Sequence, residues 1–164
     1  MNNINVSPGD VVVTQLGAYQ HWALCTDKKC PGGNYMLISA TKRTLTVKEE
    51  PWAIVTHGKP SYVVDIGSNK TVSEVLAQAR SYINKWQYSV RKRNCEHFVK
   101  KCLGLKAESS QVNAAIAAGA LSAVAIAAFS EKPKKFTLLG TVFTAAGLAV
   151  MANKAPRKIL KEPA

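Results

Sequence analysis

The sequence predicts an α+β fold, in which a small antiparallel sheet packs with helices and precedes an apolar C-terminal helical region. Three observations support this prediction. Short segments rich in β-branched and aromatic residues follow one another before residue 66. Apolar residues take up helical spacing after residue 71, and Ala, Leu, Val, Ile and Gly dominate the last third of the chain. We therefore expect one domain with a single core over residues 1–107, followed by an apolar, basic-flanked membrane-anchoring region over residues 108–164.

The strands of the sheet come first. A turn at Pro8, Gly9 and Asp10 precedes the first strand, and Gly17 marks a hairpin. The predicted strands cover residues 11–14, 21–26, 35–40, 45–47, 53–56 and 62–65, and residues 28–34 form a loop. Together these segments predict a small, mainly antiparallel sheet.

Two helices follow the strands. Thr71 and Glu74 form a capping box at the start of the first helix, and apolar residues keep helical spacing over residues 72–86. The second helix is predicted over residues 94–103, with Gly104 as its stop. These bounds put Cys95 in the first turn of the second helix.

Beyond Glu108, two apolar runs approach the length that crosses a bilayer as a helix. They cover residues 112–129 and 136–151, and a crossing needs about 17–25 residues. Small residues such as Gly119 and Gly140 suit close helix contact in lipid. The runs predict a membrane anchor, with domain 1–107 facing the cytoplasm. A helical hairpin buried in a soluble core, and the number of crossings, stay open.

The charge balance points to a phosphate-bearing partner. Lys and Arg outnumber Asp and Glu by 22 to 10, which gives a net charge of +12. Many of the basic residues flank the apolar runs, where they would meet lipid headgroups. We therefore expect a membrane as the partner and do not expect nucleic acid.

The four cysteines do not predict a disulfide framework. The first nine residues are polar and lack the apolar core of a secretory signal, so we expect reduced thiols. Cys25 and Cys30 lie five residues apart, but no second Cys or His pair has zinc-finger spacing. We expect no metal and no cofactor.

One cysteine is a candidate nucleophile. A thiol loses its proton more easily at a helix N-terminus beside an imidazole, and Cys95 meets the first condition by prediction. His21, at the start of a predicted strand, is the candidate base, whereas His97 would point elsewhere on the same helix and His57 is predicted to be an exposed loop residue. Spacing alone fits a core cysteine and an ordinary strand histidine equally well.

The residues around this site resemble a known family. The matching segments are Gly9-Asp10 before a strand, His21-Trp22-Ala23 opening the next, and Tyr88-Ser89 followed by Asn94-Cys95-Glu96-His97-Phe98-Val99. They resemble the lecithin:retinol acyltransferase-like family of NlpC/P60-type thiol enzymes, most closely its small phospholipase A/acyltransferase branch. The resemblance implies a circularly permuted papain-like fold and a phospholipid substrate. It also implies that Cys95 forms an acyl thioester with His21 as its base.

The chain departs from that family at one position. Family enzymes carry a second histidine that orients the base, and here Ile38 or Ser39 occupies its place. Ser39 would orient His21 weakly, and Ile38 could not hydrogen-bond to it. Two hypotheses therefore stay open: a membrane-anchored phospholipase or acyltransferase, and a catalytically impaired interaction protein on the same fold with a protein partner. The second type resembles the H-box/NC 2A proteins of some picornaviruses.

Overall fold

Five antiparallel strands form one sheet, in a computed structural model that describes residues 5–17, 19–106 and 113. The strand order is β4-β3-β2-β1-β5. The strands are β1 (Val11–Leu16), β2 (Tyr19–Lys29), β3 (Tyr35–Thr41), β4 (Thr46–Pro51) and β5 (Ser61–Val64). The helices are α1 (Trp52–Thr56), α2 (Val72–Ser81) and α3 (Cys95–Cys102). The predicted α+β class and the antiparallel sheet are confirmed.

One predicted strand is wrong, because residues 53–56 belong to helix α1. This stretch of four residues is too short for its periodicity to separate helix from strand. Pro51 precedes the helix, where its missing N–H costs nothing, and His57 ends the helix in the left-handed conformation with φ 52°. The predicted loop over residues 28–34 is also shorter than expected, since β2 continues to Lys29.

The sheet buries a different set of side chains on each face, because neighbouring residues of a strand point in opposite directions. The larger core lies on the face covered by α2 and α3, and it includes Trp22, Leu24, Ile38 and Phe98. The smaller core lies on the other face, where Ala23, Cys25 and Leu37 pack with Val55 of α1. Helices α2 and α3 therefore cover one face of the sheet, and the short helix α1 covers the other.

Both longer helices begin at a side-chain cap. Thr71 and Glu74 form the predicted capping box of α2, with the Thr71 backbone N–H donating to Glu74 Oε2 at 2.8 Å. In α3, Asn94 is the N-cap, and its side-chain oxygen accepts from the backbone N–H of His97 at 3.1 Å. Gly104 follows α3 with φ 73°, as the sequence predicted.

The predicted membrane anchor lies outside the residues that the structure describes, apart from Asn113. The runs 112–129 and 136–151, and the domain boundary near Glu108, therefore remain predictions. Within residues 5–17 and 19–106, the helices are too short or too polar to cross a bilayer.

Candidate active site

His21 and Ser39 meet on neighbouring strands of the sheet. The imidazole Nε2 lies 3.1 Å from the hydroxyl Oγ of Ser39, and both residues are buried. Ile38 points to the opposite face, into the core beneath α2 and α3. Strand alternation thus decides between the two residues that the sequence left open, and it gives His21 a hydrogen-bonding neighbour.

A cleft of about 110 Å³ opens beside this pair. It lies between the hairpin that joins β1 to β2, the hairpin that joins β3 to β4, and α1. Its walls include Leu16, Tyr19, Arg43, Ile54, His57 and Tyr88. The mixture of aliphatic, aromatic and cationic side chains suits a ligand with both an apolar and an anionic part.

Cys95 is the first residue of α3, and its thiol lies against β2. The backbone N–H groups of Trp22, Glu96 and Cys95 itself donate toward the sulfur. Trp22 follows His21 directly in β2, but neighbouring strand residues point to opposite faces, so the Cys95 thiol lies in the core with Trp22 and not in the cleft with the His21 imidazole. The cysteine is 7% exposed and belongs to the core beneath α2 and α3.

Burial sets the protonation states of both groups at neutral pH. Burial, aided by the charges of His57 and Arg43, lowers the pKa of His21 from 6.5 to about 4. Burial also raises the pKa of the Cys95 thiol from 9.0 to about 11, although the backbone N–H groups of Trp22, Glu96 and Cys95 oppose this shift. The resting pair is therefore a neutral imidazole and a neutral thiol, and not an ion pair.

Asn94 and His97 support α3. His97 Nδ1 lies 2.8 Å from the Asn94 side-chain oxygen, while the Asn94 amide donates to the Val90 carbonyl at 2.9 Å. Glu96 is buried and pairs with Lys100 at 2.9 Å, one helical turn away. The Asn94 contacts tie the helix start to the preceding loop.

Three residues that surround the site, Tyr19, Tyr88 and His57, were not predicted from the sequence to belong to it. Burial, followed by the charge of Cys95, raises the pKa values of Tyr19 and Tyr88, that of Tyr88 to about 12. Tyr19 could have been found, because residues two apart in a strand share a face and Tyr19 lies two before His21. His57 is exposed as predicted, but it lines the cleft and acts on His21, and its distance in sequence hid this.

No cluster of three or more potential metal ligands occurs among the residues described. Cys25 is buried beneath α1 and Cys30 is half-buried at the end of β2.

A cysteine at a helix start and a strand histidine are the residue types that a thiol enzyme uses on an α+β fold. Among the contacts of the described residues, however, no hydrogen bond joins the Cys95 thiol to the His21 imidazole, which contacts Ser39 on the face opposite the core that contains Cys95. A family model described as lecithin retinol acyltransferase matches residues 4–107. The chain belongs to the lecithin retinol acyltransferase family, whose members are typically acyltransferases or phospholipases. No curated protein matches the chain significantly.

Proposed function

We propose that the protein is a membrane-anchored thiol phospholipase A and acyltransferase that works through an acyl-cysteine at Cys95. The observation that carries this proposal is the contact of 3.1 Å between His21 Nε2 and Ser39 Oγ. It supplies the base with an orienting neighbour although the family's second histidine is missing. Family membership supports the chemical class.

The contact with Ser39 permits a tautomer in which Nδ1 is the basic nitrogen. When Nε2–H donates to the Ser39 hydroxyl, the tautomer leaves the lone pair on Nδ1 to accept a proton. Once substrate binding brings the Cys95 thiol to this nitrogen, His21 takes the thiol proton, and the thiolate attacks the ester carbonyl of a phospholipid. The tetrahedral intermediate expels the lysophospholipid oxygen, which takes the proton back from His21, and leaves an acyl thioester on Cys95.

The second half of the reaction releases the acyl chain. Water, an amine or a lysolipid hydroxyl attacks the thioester carbonyl while His21 accepts the proton of the nucleophile. The Cys95 thiolate leaves and regains that proton from His21. The backbone N–H groups of Trp22 and Glu96 that face the sulfur stabilise the thiolate in both half-reactions.

The membrane anchor would hold the site at its insoluble substrate. Two apolar runs, over residues 112–129 and 136–151, support this part of the proposal. Lysines and an arginine flank both runs, where they would meet anionic headgroups, with domain 1–107 on the cytoplasmic side.

The test is intact-mass analysis of the full chain after incubation with mixed micelles that contain phosphatidylcholine. We expect a mass increase of one acyl chain in the wild type and release of lysophospholipid. Cys95→Ala removes both, whereas Cys30→Ala, at a half-buried cysteine outside the cleft, retains both. Absence of adduct and of lysophospholipid from folded wild-type protein contradicts the proposal.

A second candidate is a non-catalytic interaction protein on the same fold. Three observations favour it: the burial of Cys95, the pKa of about 11 of its thiol, and the pKa of about 4 of His21. A thiol in this state is a weak nucleophile until a substrate reorganises the site. The same mass experiment separates the two candidates, because an interaction protein gives no adduct.

A further inference from the structure

Exposed apolar side chains gather around the mouth of the cleft. Among the described residues the large exposed ones are Tyr19, Leu45, Ile54, Val72 and Val90. Tyr19 and Ile54 line the cleft directly. Leu45 and Val90 lie on the two loops that supply Arg43 and Tyr88 to its walls. Of these five side chains, Val72 at the start of α2 is the one that lies away from the cleft, so the exposed apolar side chains are concentrated around its mouth.

The topology of the sheet brings these loops together. β1 and β3 are both antiparallel to β2, so their C-terminal ends lie at the same edge of the sheet. The β1–β2 hairpin and the β3–β4 hairpin therefore project from that edge side by side. The tip of a third loop, at residues 88–93, lies beside the tips of these two hairpins, because the backbone N–H of Tyr88 donates to the carbonyl of Leu45 at 3.0 Å.

The third tip is itself a tight hairpin. Ser89 and Arg93 form an antiparallel bridge, which leaves Val90, Arg91 and Lys92 exposed at its end. Leu45, at the second tip, is 64% exposed and has φ 57°, a left-handed conformation that is uncommon for a residue with a branched side chain. A backbone of this kind that presents an apolar side chain to solvent suggests a functional contact.

The same tips carry positive charge. We define the mouth surface as Tyr19, Lys42, Leu45, Val90, Arg91 and Lys92, all of which are exposed. None of these six is acidic. Glu50, the one carboxylate among the residues that line the cleft, is held by Arg43 at 2.5 Å. Other carboxylates of the described chain are engaged elsewhere, as Asp27 and Glu49 are by Arg80.

We propose that the mouth surface docks on an anionic phospholipid bilayer, with Leu45 and Val90 entering the headgroup region and Lys42, Arg91 and Lys92 contacting phosphates. Aliphatic tips between basic residues fit a lipid interface, where apolar burial and attraction to anionic lipid act together. Single-stranded nucleic acid would call for aromatic stacking side chains, of which this surface has Tyr19 alone. The inference rests on the proposed function only in making the bilayer the source of the substrate.

Docking would place the cleft over the lipid. The acyl ester could then pass from the bilayer into the cleft beside His21 and Ser39 without crossing water. This contact belongs to domain 1–107 itself and adds to any anchor formed by residues 108–164.

The experiment uses the full chain in a Cys95→Ala background, so that turnover plays no part. Single tryptophans are introduced as Leu45→Trp, Val90→Trp and, as the matched control, Val72→Trp. Val72 is similarly exposed but lies against Gly9, which precedes β1 and so belongs to the opposite edge of the sheet. The readout is fluorescence quenching by vesicles with brominated acyl chains, made of phosphatidylcholine with or without phosphatidylserine, relative to the chain without an added tryptophan.

We expect tryptophans at positions 45 and 90 to be quenched in anionic vesicles, and the one at position 72 to match the parent chain. Adding Lys42→Gln or Lys92→Gln should lower the ratio of docked to undocked protein about fivefold per charge, and high salt should act in the same direction. Equal quenching at all three positions in vesicle-bound protein overturns the proposal. The mouth surface would then be assigned to a protein partner instead of a bilayer. Equal quenching with and without phosphatidylserine overturns it as well.

The two proposals fail separately. An acyl adduct on Cys95 without quenching at positions 45 and 90 refutes the docking surface and leaves the enzyme. Quenching without an adduct refutes the enzyme and leaves a membrane-docking domain.

Discussion

Ser39 is the residue on which the orientation of His21 depends. Its hydroxyl is smaller than an imidazole and can rotate, so it restrains the ring of His21 less firmly than a second histidine would. Its position inside the sheet nevertheless keeps the oxygen 3.1 Å from Nε2. In the proposed mechanism, the orientation of the base therefore depends on one neutral hydrogen bond.

Removal of that hydroxyl gives the first prediction. Ser39→Ala should lower kcat by about tenfold to a hundredfold with little change in KM, because a misoriented base loses part of the contribution of proton transfer. Ser39→Thr keeps a hydroxyl and should retain most of the activity. The measurement is steady-state lysophospholipid release, with Ser73→Ala on the exposed part of α2 as the control. Unchanged kcat in Ser39→Ala would mean that another group orients His21.

The pH dependence of the rate follows from the two site pKa values. His21 acts as a base only when neutral, and burial lowers its pKa to about 4, so the acid limb of kcat/KM should fall near pH 4. The rate should then stay level through neutrality and rise again only as the Cys95 thiol, with a pKa of about 11, ionises. Initial rates measured from pH 3.5 to pH 9 in a constant-ionic-strength buffer test the acid limb and the level region. An acid limb near the ordinary histidine value of about 6.5 would contradict it.

At the scale of elements, α3 is the helix that carries the site, and its cap joins it to the loop before it. Asn94 accepts from the backbone N–H of His97 and donates to the Val90 carbonyl. The side-chain oxygen of Asn94 thus caps α3, while its amide nitrogen bonds to the loop before the helix. A change in this cap would move the Cys95 sulfur relative to β2.

Comparison of the two helix caps tests this dependence. Asn94→Ala and Thr71→Ala each remove an N-cap, and each should cost about 1 kcal/mol of unfolding free energy, somewhat more for Asn94, whose second bond is also lost. Only Asn94→Ala should also lower kcat/KM, because only α3 holds Cys95. The measurements are urea unfolding and lysophospholipid release for both variants. Equal activity losses would show that stability alone, and not placement of the thiol, limits turnover.

At the scale of the whole molecule, the fold keeps an uncharged histidine inside. His21 is 6% exposed between the sheet and the residues around α1, and its folded pKa lies below the value of about 6.5 in the unfolded chain. Between these two values the unfolded chain binds a proton that the folded protein does not. This contribution to stability is therefore complete above pH 6.5 and is lost as the pH falls toward 4.

Acid unfolding should reveal this contribution. We expect the free energy of unfolding to drop by about 2–3 kcal/mol more in the wild type than in His21→Gln between neutral pH and pH 4. Urea titrations at several pH values measure it, because the midpoint and the slope together give the free energy. Parallel curves for the two proteins would mean that His21 stays solvated or charged in the fold.

The sheet and the two capped helices could be predicted from local patterns. The capping box at Thr71 and Glu74 and the glycine stop after α3 involve residues close in sequence, so local chemistry determines them. Helix α1 was missed because four apolar residues after a proline have no distinctive period. Missing this helix mattered for the site, since α1 and the residue that ends it supply Ile54 and His57 to the cleft.

The sequence by itself determined the α+β class, the candidate pair Cys95 and His21, and, through its motif, the family. Only the tertiary structure decided that Ser39 and not Ile38 meets His21, since that choice depends on which face each strand residue takes. It also decided that the resting thiol and imidazole are neutral, because burial is a property of packing. The mouth surface likewise exists only in the fold, since three loops distant in sequence become neighbours when β1 and β3 run in the same direction.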